Sequence, residues 1–409
     1  MKGLFVADSK TEKIRQAAQA FGLVTPVGRE AASQAPEADE HWELPRGSAR
    51  VYYGEGQKGV VRPVILADGF SLGPSDFDWL WDGLENGRFP FISELRRRGR
   101  TLVLVGFDER SESILRNAET VMAAILRTSA EQLDDTRLLA GGFSMGGLVT
   151  RYALAKMEQR RMDHRVAVYV SFDSPHRGAW VPIGLQAFAH YTAGVDDTYL
   201  RQISSPASQQ MLWRYLDELK GTPQESPLRT EFKDELQKVG SWPQIPHLLG
   251  VSSGRGDGVG NGVQAGAKAL SCAGPLFDGT YFLAQSQGDP AEAAVLNGLL
   301  GGPHSITTSG FPELDGAPGG TLESFGIIGD ALAGVGESVD LVHRSGCFVP
   351  SVSAVAVRDL DRQEDLYVDI DKLEPEESEL NEFLLSQDND PHALMTEDIG
   401  RWVLDRLPD

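Results

Sequence analysis

From about residue 60 onward, short apolar runs alternate with longer stretches of helical periodicity. The apolar runs cover residues 60–67, 101–107, 136–141, 166–172 and 247–251. Runs with no polar residue at every second position suit strands covered on both faces. Between them, residues 76–84, 90–98, 111–129 and 147–160 carry the i, i+3, i+4 spacing of helices. Strand and helix in turn predict an α/β fold class, a mostly parallel sheet with helices on both faces. The chain closes at 396–407 on a predicted amphipathic helix through Ile399, Trp402, Val403 and Leu407.

Two regions break the alternation, and the N-terminus precedes it. Residues 1–48 are polar and contain Pro26, Pro36 and Pro45. A helix is predicted over 9–21 and a loose lead-in over the rest, with the main domain at 49–409. Residues 174–244 have helical stretches but no strong strand. Trp180, Val181, Ile183, Leu185, Phe188 and Tyr191 form one apolar patch there, and Met211 to Leu216 a second. Such an insertion reads equally as a helical, lid-like cap or as packed core. A further insertion at 254–340 is rich in Gly and Ser and resists assignment. Internal repeats are not seen.

Composition narrows the partners. The 409 residues hold 38 Lys and Arg against 59 Asp and Glu, a net charge of −21. That argues against nucleic acid and anionic membrane as electrostatic partners, which need basic patches. The acidic segment 359–390 reads as solvated surface. No run reaches the roughly eighteen apolar residues of a membrane span, and the first eight residues are too short an apolar run for a signal peptide. A soluble, cytoplasmic chain is expected. Two cysteines, Cys272 and Cys347, make no disulfide scaffold and are expected to be free.

Chemistry concentrates at Gly142-Phe143-Ser144-Met145-Gly146, which follows an apolar run and opens a helix. A G-x-S-x-G turn between strand and helix holds its serine at a strained backbone position, at a helix N-terminus that favours developing negative charge. No Lys-Ser/Thr follows, so this is not a phosphate loop. A serine nucleophile needs a base, an orienting acid and an oxyanion hole. In the order Ser, acid, His, the base falls to His392, in a loop before the last helix, ahead of His304 and His343. The oxyanion donors are the N–H groups of Met145 and of Phe70, the latter in the turn Asp68-Gly69-Phe70. Asp68 braces that loop. For the acid, Asp173 and Asp257 each follow a predicted strand, whereas Asp340 and Asp388 do not. Neither a metal nor an organic cofactor is called for.

These residues resemble the lipase/esterase branch of the α/β-hydrolase superfamily. Residues 144–154 resemble the elbow and helix of bacterial lipases and of PGAP1-like hydrolases, and the likeness extends over about residues 60–180. Ser174-Pro175-His176-Arg177-Gly178 resembles the segment after the next strand in those enzymes, where the histidine is structural. Phe172-to-Ala179 and Phe348-to-Ala354 together resemble a bacterial group carrying both segments. In many lipases an Asp-Gly before a V-P-x-x-S-A run supplies the acid, but here Gly346-Cys347 stands there. Pancreatic-type lipases take the acid just after the preceding strand, a placement that Phe172-Asp173-Ser174 resembles. The resemblance favours Asp173 over Asp257. It implies a serine hydrolase cleaving a carboxylic ester through an acyl-enzyme. The apolar composition of the 174–244 insertion adds the expectation of a small-molecule hydrophobic ester or acyl substrate as partner. An acyltransferase or thioesterase with the same residues, and a non-catalytic binding module on the same fold, are the alternatives.

Overall fold

The computed structural model describes residues 2–23 and 31–409; the part of the lead-in around Pro26 lies outside them. In chain order come helix α1 (Lys2–Ala20), strands β1 (Glu40–Leu44), β2 (Gly47–Tyr52) and β3 (Val64–Ala67), helices α2 (Phe77–Glu85) and α3 (Phe91–Arg97), and β4 (Leu102–Phe107). Then follow α4 (Ile114–Glu131), β5 (Leu138–Phe143), α5 (Met145–Gln159) and β6 (Val166–Phe172). With β7 (His247–Ser252) and a late strand at 382–385 these form an eight-stranded sheet, in which only β2 runs against the others.

Alternate residues of the central strands feed two separate cores. Val64, Leu66, Leu102 and Leu104 pack with Trp81 and Leu84 of α2 and Phe91, Ile92 and Leu95 of α3. Ile65, Ala67, Val103 and Val105 pack on the other face with Val121 and Ile125 of α4 and Leu148 and Val149 of α5. Burial on both faces is why these strands read as unbroken apolar runs. Caps fix the helix starts: the Asp76 carboxylate accepts from the N–H groups of Asp78 and Trp79 at the head of α2.

The described parts of the lead-in are not loose. β1 and part of β2 lie upstream of residue 48 and extend the sheet, with Trp42 buried. Helix α1 buries Ile14, Ala17 and Ala18, and the Phe21 ring lies 5.3 Å from that of Phe188. β1 escaped prediction because it is an edge strand with one buried residue in five.

The first insertion carries α6 (Ile183–Thr192), α7 (Thr198–Ile203), α8 (Pro206–Met211) and α9 (Pro227–Lys238). Both of its apolar patches are core: Trp180, Phe188, Met211, Leu212, Trp213 and Leu216 are all buried. They therefore give no argument for an apolar substrate. The second insertion builds β8 (Lys268–Ala273), β9 (Tyr281–Leu283), β10 (Ala291–Leu296), β11 (His304–Thr308), β12 (Gly319–Leu322), α10 (Ser324–Gly334), β13 (Ser338–Leu341) and β14 (Gly346–Pro350). Five of these strands form an antiparallel sheet in the order β11-β10-β9-β8-β13. Phe188 of α6 packs against Phe277 and Phe282 beneath that sheet, ring centroids 5.5 Å away in each case. β12 and β14 pair separately as a two-stranded ribbon. Short helices α11 (Ser351–Ala354) and α12 (Gln363–Leu366), the edge strand β15 (Glu382–Leu385) and helix α13 (Glu397–Leu404) complete the chain. Among the described residues no helix is long and apolar enough to cross a membrane. Cys272 and Cys347 are both free and buried.

Candidate active site

β5 ends in the tight turn that the glycine spacing predicts. Ser144 adopts φ 52° and ψ −117°, a region that side chains other than glycine rarely occupy. The turn is held from both sides. The Ser144 N–H donates to the Phe172 carbonyl at 2.8 Å, and Gly146 lies so close to β3 that a Cβ there would meet the Ala67 and Asp68 carbonyl oxygens. Only glycine fits, so the sequence spacing and the strain have one cause: the helix must start against the neighbouring strand.

Parallel register then sets the neighbours. Phe143 pairs with Phe172, so the next residues on each strand, Ser144 and Asp173, come out side by side at the carboxyl edge of the sheet. Asp173 is 1% exposed and also has positive φ, 50°. Its Oδ1 accepts the Ser253 N–H at 3.0 Å. Its Oδ2 lies 2.7 Å from His392 Nδ1, across 219 residues of sequence. The Ala393 N–H reaches the same oxygen at 3.4 Å. A carboxylate this close fixes the Nδ1–H tautomer and leaves Nε2 as the acceptor. Nε2 is buried and has no hydrogen-bond partner among the described residues. The Ser144 hydroxyl likewise makes no hydrogen bond among them, so the Ser144–His392 bond is not made here. Such bonds are often long before substrate binds.

The turn after β3 lies against the elbow: a Cβ on Gly69 would stand 3.6 Å from Ser144 Cβ. Neither the Phe70 nor the Met145 N–H is taken by another described residue. Asp68 donates nothing to the site. Its Oδ1 accepts the Gly69 N–H at 2.7 Å and its Oδ2 faces Arg110 at 3.6 Å. Burial raises its pKa, against the pull of the Arg110 charge.

The remaining candidates fall elsewhere. Asp257 is turned to Arg255, whose guanidinium hydrogen bond lowers its pKa to about 2. His304 stands on β11 with its ring 5.8 Å from Tyr191, and Asp340 lies on β13, opposite Ser271 of β8. His343, in the connection after β13, donates its N–H to the Ala269 carbonyl. Asp388 is exposed and faces Arg255 at 3.9 Å. His176 is half-buried and held neutral: desolvation, then the charges of Arg151 and Arg177, push its pKa well down. Its Nδ1 lies 3.4 Å from Arg151 and its Nε2 3.0 Å from the Ser171 hydroxyl. Sequence reasoning missed Phe348, whose ring stands edge-on to the His392 imidazole at 4.8 Å and 79°. It also missed Thr321, whose carbonyl accepts the His392 N–H at 2.9 Å. Backbone and ring-edge contacts leave no pattern in a single sequence. Among the described residues, no group of three or more His, Cys, Asp or Glu is arranged to hold a metal.

No known family model and no curated protein matches the chain. Among solved structures it is similar to XC6422 from Xanthomonas campestris, described as an α/β serine hydrolase without lid, at 20% identity and TM-score 0.26, over 36% of this chain and 66% of that one. It is also similar to esterase Est22, at 13% identity and TM-score 0.34, over 61% and 71%. Est1E from Butyrivibrio proteoclasticus aligns at 11% identity and TM-score 0.30, over 52% and 76%. The chain spans just under two thirds of the first of these. Its own residues, not these likenesses, carry the chemistry. A strained serine elbow between strand and helix, at the carboxyl edge of a largely parallel sheet covered on both faces, is the α/β-hydrolase fold.

Proposed function

We propose that this chain is a serine hydrolase that cleaves a carboxylic ester, with Ser144, His392 and Asp173 as its triad. The observation that carries this reading is the 2.7 Å contact between His392 Nδ1 and Asp173 Oδ2, with Asp173 beside the strained Ser144. Ser144 Oγ attacks the ester carbonyl while its proton passes to His392 Nε2. Negative charge then grows on the carbonyl oxygen, and the N–H groups of Met145, at the N-terminus of α5, and of Phe70 donate hydrogen bonds to it. His392 returns the proton to the leaving alcohol, and the acyl group stays on Ser144. Water attacks the acyl-enzyme with the same base, and the acid and free Ser144 are released. Asp173 holds the imidazole tautomer throughout and stabilises the imidazolium.

Turnover of p-nitrophenyl butyrate tests the reading. The wild type is expected to release p-nitrophenol, and Ser144→Ala to fall by about 10⁴-fold or more. A Ser144→Ala protein as active as the wild type contradicts it.

A further inference from the structure

The V-P-x-x-S-A run at 349–354 supplies no acid, yet it remains packed beside the site, and its strand has a task to be found. We infer that the β12–β14 ribbon aims the His392–Asp173 pair, with Gly320, Thr321 and Phe348 as positioning residues. The inference rests on reading those two side chains as base and orienting acid.

His392 needs such a device because it sits in a loop between β15 and α13, where the backbone alone leaves an imidazole free to swing. Thr321 grips that loop on both sides of Pro391. Its carbonyl accepts the His392 N–H at 2.9 Å, and its N–H donates to the Asp390 carbonyl at 3.0 Å. The Thr321 hydroxyl adds a second donor to that carbonyl at 3.2 Å. On the paired strand, Phe348 presents its ring to the imidazole. Phe348 is itself tied, since its carbonyl accepts the Trp180 N–H at 2.7 Å from the chain following Asp173. Ser353 reinforces the same join: its hydroxyl donates to the Gly178 carbonyl at 2.8 Å.

The ribbon also reaches the carboxylate. A Cβ on Gly320 would overlap Asp173 Oδ2 and lie 2.8 Å from Cγ, so the bare backbone forms one wall of the carboxylate's site. The strand register shifts between Gly320 and Thr321. Irregularities of this kind re-aim neighbouring residues beside active sites, and here one residue faces the acid while the next holds the base's loop. A single ribbon thus sets the relative position of two groups that come from opposite halves of the chain.

Gly320→Ala and Phe348→Leu test this, each alone and combined with Asp173→Asn. The first readout is the downfield proton resonance of His392 Nδ1–H against Asp173, which needs no turnover. It is expected in the wild type and lost or broadened in Gly320→Ala and Phe348→Leu. The second is p-nitrophenyl butyrate kinetics, with kcat expected to fall about 100-fold in Gly320→Ala and KM to stay within about twofold. In the Asp173→Asn background both ribbon substitutions are expected to cost almost nothing further, because they act through the Asp173–His392 pairing that this change already breaks. A folded Gly320→Ala or Phe348→Leu protein with unchanged resonance and kcat overturns the inference, as do penalties that multiply in the Asp173→Asn background. If Gly320→Ala does not fold, Phe348→Leu decides. A wild type that shows the resonance but no turnover sinks the esterase reading and leaves the positioning to be judged by the resonance alone.

Discussion

Single residues carry the chemistry through where they are forced to sit. Ser144 holds a backbone conformation that costs about 1–3 kcal/mol elsewhere, and the packing of Gly146 on β3 enforces it. As carboxylates after strands Asp173 and Asp257 read alike, and only the resemblance favoured Asp173; the fold separates them by partner, a histidine for one and Arg255 for the other. Asp173→Asn is therefore expected to lower kcat by about 10⁴-fold by presenting the wrong imidazole tautomer, and Asp257→Asn to leave it within about twofold, as ester turnover at neutral pH will show. Asp315 makes a separate, pH-dependent statement. It is fully buried, bonded to Trp180 Nε1 at 2.9 Å and to the Gln285 N–H, and burial raises its pKa to about 6. Between the ordinary carboxylate range and pH 6 the folded chain keeps a proton that the unfolded chain has lost. Folding stability from this group thus falls as pH rises through that window, by about 3 kcal/mol in all. Urea denaturation at pH 4 and pH 7 should show the wild type losing roughly that much relative to Asp315→Asn; an equal difference at both pH values contradicts it.

At the scale of elements, what was legible depended on how burial is written into the chain. The five central strands are buried on both faces and show as continuous apolar runs, and α2 to α5 fall within a few residues of their predicted spans. β1 was hidden because it is a short edge strand, and β8 to β11 and β13 because partly exposed strands of three to six residues, broken by glycine turns, give too few alternations to register. The elbow was legible because its glycines are there to let two backbones touch. Gly146→Ala should therefore cost about 1–3 kcal/mol through overpacking and abolish turnover by shifting Ser144. Thermal unfolding with a parallel activity assay checks both, and an unchanged protein on both counts would refute the close-packed elbow. His392 was singled out by its loop before the last helix, whereas the ribbon packed beside it left no signal, since its contacts are made by a carbonyl, a ring edge and a missing Cβ.

The whole molecule joins two sheets through the helical insertion, whose apolar residues lie in the core. Phe188 lies between Phe21, just after α1, and the rings of Phe277 and Phe282, so α6 is a structural layer rather than a free flap. Phe188→Ala is expected to destabilise the fold by about 3–5 kcal/mol in denaturant unfolding; a loss below about 1 kcal/mol would point to a loosely attached cap. The predicted hydrophobic substrate rested on the composition of this insertion, and that basis disappears once its apolar residues are found in the core. The sheet order and the meeting of Ser144, Asp173 and His392 at one edge depend on crossovers that no local pattern encodes. The central claim is that this edge holds an activated serine. Intact-mass and peptide analysis after treatment with a fluorophosphonate tests it most directly. The account predicts one adduct, on Ser144, absent in Ser144→Ala and strongly slowed in His392→Ala. A folded wild type that takes no adduct, or takes it on another residue, would contradict it.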